Sequence, residues 1–343
     1  MRIMQTINAF IESHLPLAWL ALVVSFAVLA KSTDMFVDSS VTLAKKLKIP
    51  RLIIGIVLVS FATTVPELSV SLLSALQDKP AMALGNAIGS VICNSGLAFA
   101  LAGVISVSTI PIIPHVLKTS GFFLLFIEIL TFLFVLPDNT LNRWEGSILV
   151  ILFAAYMIFL FLQHKKGRFQ EDLDKEEPGR ECDVSMPRLF VLFLLSLGGI
   201  VLASEFIITS ATTIARSFGV PEGIIALTLV ALGTSIPEIA TCITAARKNE
   251  GALAVGNILG ANIMDICWVA GASAIANNLT LSKKEIFFMF PWMFVIIGMM
   301  LLLLRVRYDL SRKKGLILFG LYLLYLVSFF FFFPPHCNSG TGP

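Results

Sequence analysis

Charge is scarce in this chain: Asp, Glu, Lys and Arg make up 14% of its 343 residues, where a soluble globular domain carries about 25%. A water-soluble design, with its charged outer shell, is thereby excluded. The five cysteines, Cys93, Cys182, Cys242, Cys267 and Cys337, show no CxxC spacing, so neither a zinc knuckle nor a disulfide framework is indicated. Cys93, Cys242 and Cys267 lie in apolar runs and are expected to be packed thiols. Only four histidines occur, His14, His115, His164 and His336, all near segment ends or in loops. A histidine-ligated transition-metal centre within the apolar segments is therefore not indicated. A cleavable leader is also not evident. Arg2 and Glu12 interrupt the first stretch, and the apolar run that follows reaches Asp34 and Asp38 without a small-residue cleavage site.

Apolar residues are what the chain has in quantity. They make up 57% of it, with 28 Phe and a mean hydropathy of +0.89, which implies an all-α polytopic membrane protein. Segments long enough to cross a bilayer, about 20 apolar residues each, fall near 15–44, 51–78, 81–107, 117–136, 143–163, 188–216, 222–247, 251–277, 285–304 and 315–334. The one substantial hydrophilic connection, 164–187, divides the chain into five helices (1–163) and five more (188–335), and the polar tail 336–343 is expected to be disordered. Basic residues mark the cytoplasmic side of a membrane protein. Loops after the odd-numbered segments carry eighteen Lys and Arg, and the opposite side carries six. This places 164–187 in the cytoplasm and both termini outside.

Within the second segment, residues 60–67 read Ser-Phe-Ala-Thr-Thr-Val-Pro-Glu. Pro66 has no N–H to give and is expected to free carbonyls near Ala62 and Thr63. Glu67 then places a carboxylate at membrane depth, where ionisable groups are costly and usually functional. Freed carbonyls, hydroxyls and a carboxylate make an oxygen-rich site for a hard cation. The pattern returns at 231–238, Ala-Leu-Gly-Thr-Ser-Ile-Pro-Glu.

A shift of 171 residues superposes 50–94 on 221–265 without a gap, with fifteen of 45 positions identical. Pro66 falls on Pro237, Glu67 on Glu238, Gly85-Asn86 on Gly256-Asn257, Gly89 on Gly260 and Asn94 on Asp265. Apolar composition alone matches apolar residues, but it does not align Pro-Glu and Gly-Asn pairs. Five crossings per half is odd, so the repeats are expected to run in opposite directions, the inverted architecture in which substrate and coupling ions bind at the repeat interface.

Glu67 and Glu238 are the strongest candidate ligands. Two like charges at equivalent positions repel unless a cation or proton lies between them; the structural alternative is a protonated, hydrogen-bonded carboxyl pair. Thr63, Thr64, Thr234 and Ser235 can add hydroxyl or main-chain oxygens, and so can Ser60, while Ala231 has only its carbonyl. Gly85, Gly89, Gly256 and Gly260 are spaced for close helix packing. Asn86 and Asn257 are expected to be caps or interhelical bonds, and Asp265 adds a third carboxylate opposite neutral Asn94. Asp34, Asp38 and Glu205 read as solvated or entry-path groups. The acidic run 170–177 lacks the ligand spacing and turn glycine of a calcium loop and reads as a solvated linker.

These motifs, ATTVPE (62–67) with GNAIGSVICN (85–94) and GTSIPE (233–238) with GNILGANIMD (256–265), resemble the two alpha repeats of the cation/calcium exchanger superfamily, most closely its prokaryotic sodium/calcium exchangers. The repeat regions, 50–107 and 221–277, cover about a third of the chain. The resemblance implies antiport of Ca2+ against Na+ by alternating access, with ten helices and no cofactor. It implies that Glu67, Glu238 and main-chain oxygens of Thr63 and Thr234 bind Ca2+. It also implies flanking Na+ sites that use Thr64, Ser235, Ser90, Asn94 and Asp265. Ala62, Thr64, Val91 and Ala261 depart from the pattern, and Ala261 stands where a sodium-liganding serine is common, so the coupling ion is open between Na+ and H+. A Ca2+/H+ antiporter using the same glutamates is the nearest alternative, followed by an intramembrane hydrolase with paired carboxylates and a passive channel. The expected partners are the transported ions and the lipid bilayer, with no nucleic acid. The sequence sets no oligomeric state, and a monomer is compatible with it.

Overall fold

Segments this apolar have no water to satisfy their main chain within a bilayer, so each must close its hydrogen bonds internally as helix. A computed structural model describes residues 15–165, 184–218 and 231–333, and they are mostly helical. In chain order the elements are α1 (Leu15–Leu47), α2 (Arg51–Thr63), α3 (Val65–Leu76), α4 (Pro80–Ile105), β1 (Ile110–Pro111), α5 (Pro114–Val135), β2 (Thr140–Leu141) and α6 (Arg143–Lys165). Then come α7 (Met186–Ser217), α8 (Ala231–Thr234), α9 (Ile236–Arg247), α10 (Gly251–Ala276), β3 (Leu279–Thr280), α11 (Lys283–Arg305), β4 (Asp309–Leu310) and α12 (Arg312–Phe332). Pro221, the start of the seventh predicted segment, most of the 164–187 linker and the 336–343 tail lie outside the described residues.

Among the described residues, seven helices (α1, α4, α5, α6, α7, α10 and α11) are long and apolar enough to cross a membrane, and α2 with α3 makes an eighth if the pair is one bent span. The segment read as one helix over 51–78 is two helices meeting at 45°, the bend that Pro66 demands. Asn86 and Asn257 are not at helix starts as the sequence spacing suggested: α4 begins at Pro80 and α10 at Gly251, so capping is ruled out for both.

The core is built around α4 and α10, whose most apolar windows are 78% and 83% buried, against 22–44% for the other long helices. Small residues make this possible, because helices in lipid associate through close packing rather than hydrophobic exclusion. Gly256 Cα is the clearest case: a Cβ on it would meet the Leu52 carbonyl oxygen and approach Gly55 Cα at 3.1 Å. Helices α2 and α10 therefore touch backbone to backbone. Gly260 repeats the contact one turn on, against Ile56 and Ser60.

The long helices α1 and α7 pack against each other on the outside of this core, with Phe36 and Phe193 ring centroids 4.8 Å apart. Two short antiparallel strand pairs tie loops together. β1 pairs with β4 (Ile110 opposite Leu310), and β2 pairs with β3 (Thr140 opposite Thr280). The start of α5 and the end of α11 thus share one end of the molecule, and the end of α5 and the end of α10 share the other.

Candidate functional site

Pro66 and Pro237 remove the helical donor for the carbonyls four residues earlier, at Ala62 and Gly233. The chain answers identically in both places. Thr64 (φ −81°, ψ 2°) and Ser235 (φ −86°, ψ 5°) leave the helical region, and new helices begin at Val65 and Ile236. Proline is tolerated in a first turn because the donor it lacks is unpaired there anyway. Glu67 and Glu238 occupy the same first turns, at the positive end of each helix dipole. Both are fully buried.

Helices α4 and α10 supply the facing wall. Asn94 and Asp265 each open a π-helical turn, Asn94–Ala98 and Asp265–Ala270, an irregularity that is frequent at functional sites. Asn94 Nδ2 donates to Asp265 Oδ2 at 3.1 Å, so two repeat-equivalent positions meet each other directly.

Contacts between the repeats are reciprocal. The Thr63 hydroxyl donates to Asn257 Oδ1 at 3.4 Å, and the equivalent Thr234 hydroxyl donates to Asn86 Oδ1 at 3.2 Å. Thr64 donates to Glu238 Oε1 at 3.3 Å. Its equivalent, Ser235, donates to Ser90 Oγ at 3.4 Å and lies beside Glu67, whose carboxylate oxygens both lack a hydrogen-bond partner among the described residues. Asn86 Nδ2 also donates to Ser71 Oγ at 3.0 Å and to the Glu67 main-chain oxygen at 3.4 Å.

Glu67, Glu238, Thr63, Thr64, Thr234, Ser235, Ser90, Asn94 and Asp265 are thus brought together, all at most 4% exposed. Ser60 is also buried, but its hydroxyl donates to the Ile56 carbonyl and its own carbonyl accepts the Thr64 N–H at 2.9 Å. Ala231 opens the described part of α8, and its side chain lies outside the described residues. Asp34 and Asp38 are exposed on α1, each paired with Lys248 (3.4 and 2.7 Å), and Glu205 is exposed on α7.

Several acceptors in this cluster have no hydrogen-bond partner among the described residues: both Glu67 oxygens, Glu238 Oε2, Asp265 Oδ1 and Asn94 Oδ1. Burying an acceptor without a donor costs about 1–3 kcal/mol. The three carboxylates are also close enough to repel one another electrostatically. A hard cation among these oxygens would relieve both penalties. No three His, Cys, Asp or Glu side chains among the described residues are arranged to hold a metal. A cation here would rest on two carboxylates assisted by hydroxyl, amide and main-chain oxygens.

Three features escaped the sequence reading. Asn262, fully buried, donates to Ser95 Oγ at 2.7 Å and leaves its own Oδ1 unpartnered. Cys93 lies beside Ser235 and Tyr322, which brings α12 up to the site. Glu128, in the middle of α5, is fully buried with both oxygens unpartnered among the described residues. Its signal was present, a lone carboxylate in the run GFFLLFIEILTFLF, but no repeat partner drew attention to it.

The family model for "Sodium/calcium exchanger protein" matches residues 17–162 and 188–331. Among curated relatives, the sodium/calcium exchanger MaX1 of Methanosarcina acetivorans is 29% identical over 91% of this chain and 98% of its own length. The inner membrane protein YrbG of Escherichia coli is 33% identical over 76% of this chain and 80% of its own. A solved structure of the sodium-calcium exchanger NCX_Mj superposes with a TM-score of 0.76 at 25% identity, covering 92% of this chain and 99% of that one. MaX1 and NCX_Mj are exchangers, transporters rather than hydrolases or other enzymes. Matched along most of both halves, the chain belongs to the sodium/calcium exchanger protein family.

Proposed function

We propose that this protein is a secondary active antiporter that exchanges Ca2+ for Na+ across the membrane, with Ca2+ and Na+ as substrates. The reading rests chiefly on the contacts across the repeat interface: the reciprocal bonds of Thr63 with Asn257 and Thr234 with Asn86, and the meetings of Thr64 with Glu238 and of Asn94 with Asp265. Glu67 and Glu238 hold Ca2+, helped by main-chain oxygens of Thr63 and Thr234. Na+ takes flanking positions that draw on Thr64, Ser235, Ser90, Asn94 and Asp265. Ser60 and Ala231 contribute no more than main-chain oxygen.

The transport cycle we infer is alternating access between two inverted five-helix repeats that make ten crossings. The strand pairs support it. β1 and β3 follow equivalent helices, α4 and α10, yet they sit at opposite ends of α5 through their partners β4 and β2. Equivalent loops on opposite sides are what an inverted repeat requires. The basic-residue asymmetry puts both termini outside and the connection after α6 in the cytoplasm. The likeness to MaX1, a sodium/calcium exchanger matched over nearly its whole length, favours Na+ as the counter-ion.

A Ca2+/H+ antiporter is the second reading. The observation favouring it is Ala261, fully buried where its repeat partner Ser90 offers a hydroxyl to the site, so one Na+ position has fewer oxygens. Proteoliposomes loaded with Ca2+ separate the two. Efflux driven by an inward Na+ gradient at constant pH is the expected result. Efflux that ignores Na+ and follows a pH gradient would replace the first reading with the second, and flux without any counter-ion would indicate a channel.

A further inference from the structure

Helix α5 carries a second feature, on the face turned away from the ion site. Two apolar grooves run along it, one on each side of Phe122. The first, about 490 Å3, lies between α5 and α6 and is lined by Phe126, Tyr156 and Phe159 among others. The second, about 390 Å3, lies between α5 and α11 and includes Leu125, Leu301 and Tyr308. Both fall within the range of small-molecule sites, about 300–1,000 Å3. Phe122 is the shared wall and stands 74% exposed, as a ridge. The floor of the first groove is fixed. Phe123 stacks on Tyr156 at 4.5 Å between centroids, and the Tyr156 hydroxyl donates to Ser120 Oγ at 2.8 Å.

Both grooves also share one cation, Lys118, in the second turn of α5. Arg305, the last residue of α11, lines the second groove. The β1–β4 pairing sets these two helix ends side by side. Among the described residues, neither Lys118 nor Arg305 makes a hydrogen bond or an ion pair, and no acidic residue lines either groove. The other repeat has nothing comparable. Beyond α4 and α10 the equivalent elements lie 169 residues apart (Pro114 and Lys283 open α5 and α11), which places Phe287 at the position of Lys118 and Pro291 at that of Phe122, so the cationic end is not inherited from the duplication.

We propose that this surface is a binding site for one anionic glycerophospholipid, straddling Phe122 with an acyl chain in each groove and its phosphate held by Lys118 and Arg305. The two-groove, two-cation pattern is what selects this occupant. A zwitterionic lipid fits the grooves but places its own cation beside Lys118 and Arg305. Basic residues at a membrane surface attract anionic lipid strongly enough to shift occupancy about fivefold each.

The test is native mass spectrometry of the full-length protein released from nanodiscs containing equal phosphatidylglycerol and phosphatidylcholine. The wild type should retain phosphatidylglycerol in preference. Lys118→Ala and Arg305→Ala should each lower that preference about fivefold, while Lys118→Arg with Arg305→Lys keeps it. A control, Lys45→Gln with Lys48→Asn, removes two basic residues that line neither groove and should leave the ratio unchanged. Equal retention of both lipids by the wild type would mean that the grooves hold bulk lipid only, and the proposal fails. It also fails if the control lowers the ratio as much as the groove variants do. Elution of every variant as a folded species in gel filtration separates lost binding from lost folding.

Discussion

At the residue scale, the unpartnered carboxylates decide most. Glu67→Gln and Glu238→Gln keep the shape of the site and remove half of the charge available to balance a divalent ion. Each is expected to lower Ca2+ uptake in proteoliposomes by at least about 100-fold, with an unchanged gel-filtration profile; a normal rate in either variant would remove the central assignment. Ala261→Ser restores the hydroxyl that Ser90 supplies in the other repeat. The Na+ concentration for half-maximal exchange should fall by about tenfold, the worth of one contact to a charged group, and an unmoved Na+ dependence would show that the missing oxygen does not matter. Glu128 is a buried carboxyl outside that cluster, with no hydrogen-bond partner for either oxygen among the described residues. Replacing an unpaired buried polar group with an apolar one of similar size is commonly stabilising. Glu128→Met should therefore raise the unfolding temperature, by the equivalent of about 1–3 kcal/mol, and leave exchange unchanged. Lost exchange in a stable Glu128→Met protein would place Glu128 on the ion path. The two glutamates were legible in the sequence because proline and duplication marked them. Glu128 had neither marker, and its lack of partners is a fact of packing.

At the element scale, the function depends on helices that break at a defined residue and pack without side chains between them. Thr64 and Ser235 are the break points, and Gly55, Gly256 and Gly260 are the contact. A methyl group on Gly256 would be forced into the backbone of α2, which cannot swing aside as a flexible side chain can. Gly256→Ala should cost about 1–3 kcal/mol by overpacking. Gly298→Ala, where a Cβ meets nothing within 4 Å, should cost nothing or stabilise α11 through better helix propensity. Thermal unfolding in detergent measures both, and equal melting temperatures for the two variants would contradict the backbone contact. The glycine spacing was visible in the sequence, and so was the bend at Pro66. The identity of the partner helix was not, since GNILG pairs equally well on paper with several apolar helices. Asn86 and Asn257 show the same limit. Their spacing left caps and interhelical bonds both open, and only the packed structure decides for interhelical bonds and hands them Thr234 and Thr63 as partners.

At the scale of the whole molecule, the proposed inverted arrangement has a direct consequence for sidedness. Gln77 and Arg247 are exposed residues at the ends of the equivalent half-helices α3 and α9. With the native cysteines replaced, Gln77→Cys should react with a membrane-impermeant maleimide added outside intact cells, and Arg247→Cys only after permeabilisation. Labelling of both from the same side would exclude an inverted repeat, and a reversed pattern would invert the predicted orientation. The strand pairs β1–β4 and β2–β3 could not have been read from the sequence. Each is two residues long and joins loops about 140 or more residues apart, too short to leave a periodic signal.

The sequence by itself determined that this is a membrane protein of repeated halves with two proline-broken, glutamate-bearing segments. Hydropathy, proline geometry and the 171-residue shift are local or periodic properties, and a linear string records them completely. Which oxygens face each other was decided only by the tertiary structure, because the meeting of Thr64 with Glu238 and of Asn94 with Asp265 depends on how two distant helix pairs cross. The same holds for the cationic grooves beside Phe122: Lys118 and Arg305 are 187 positions apart in the chain and come together through the β1–β4 pairing.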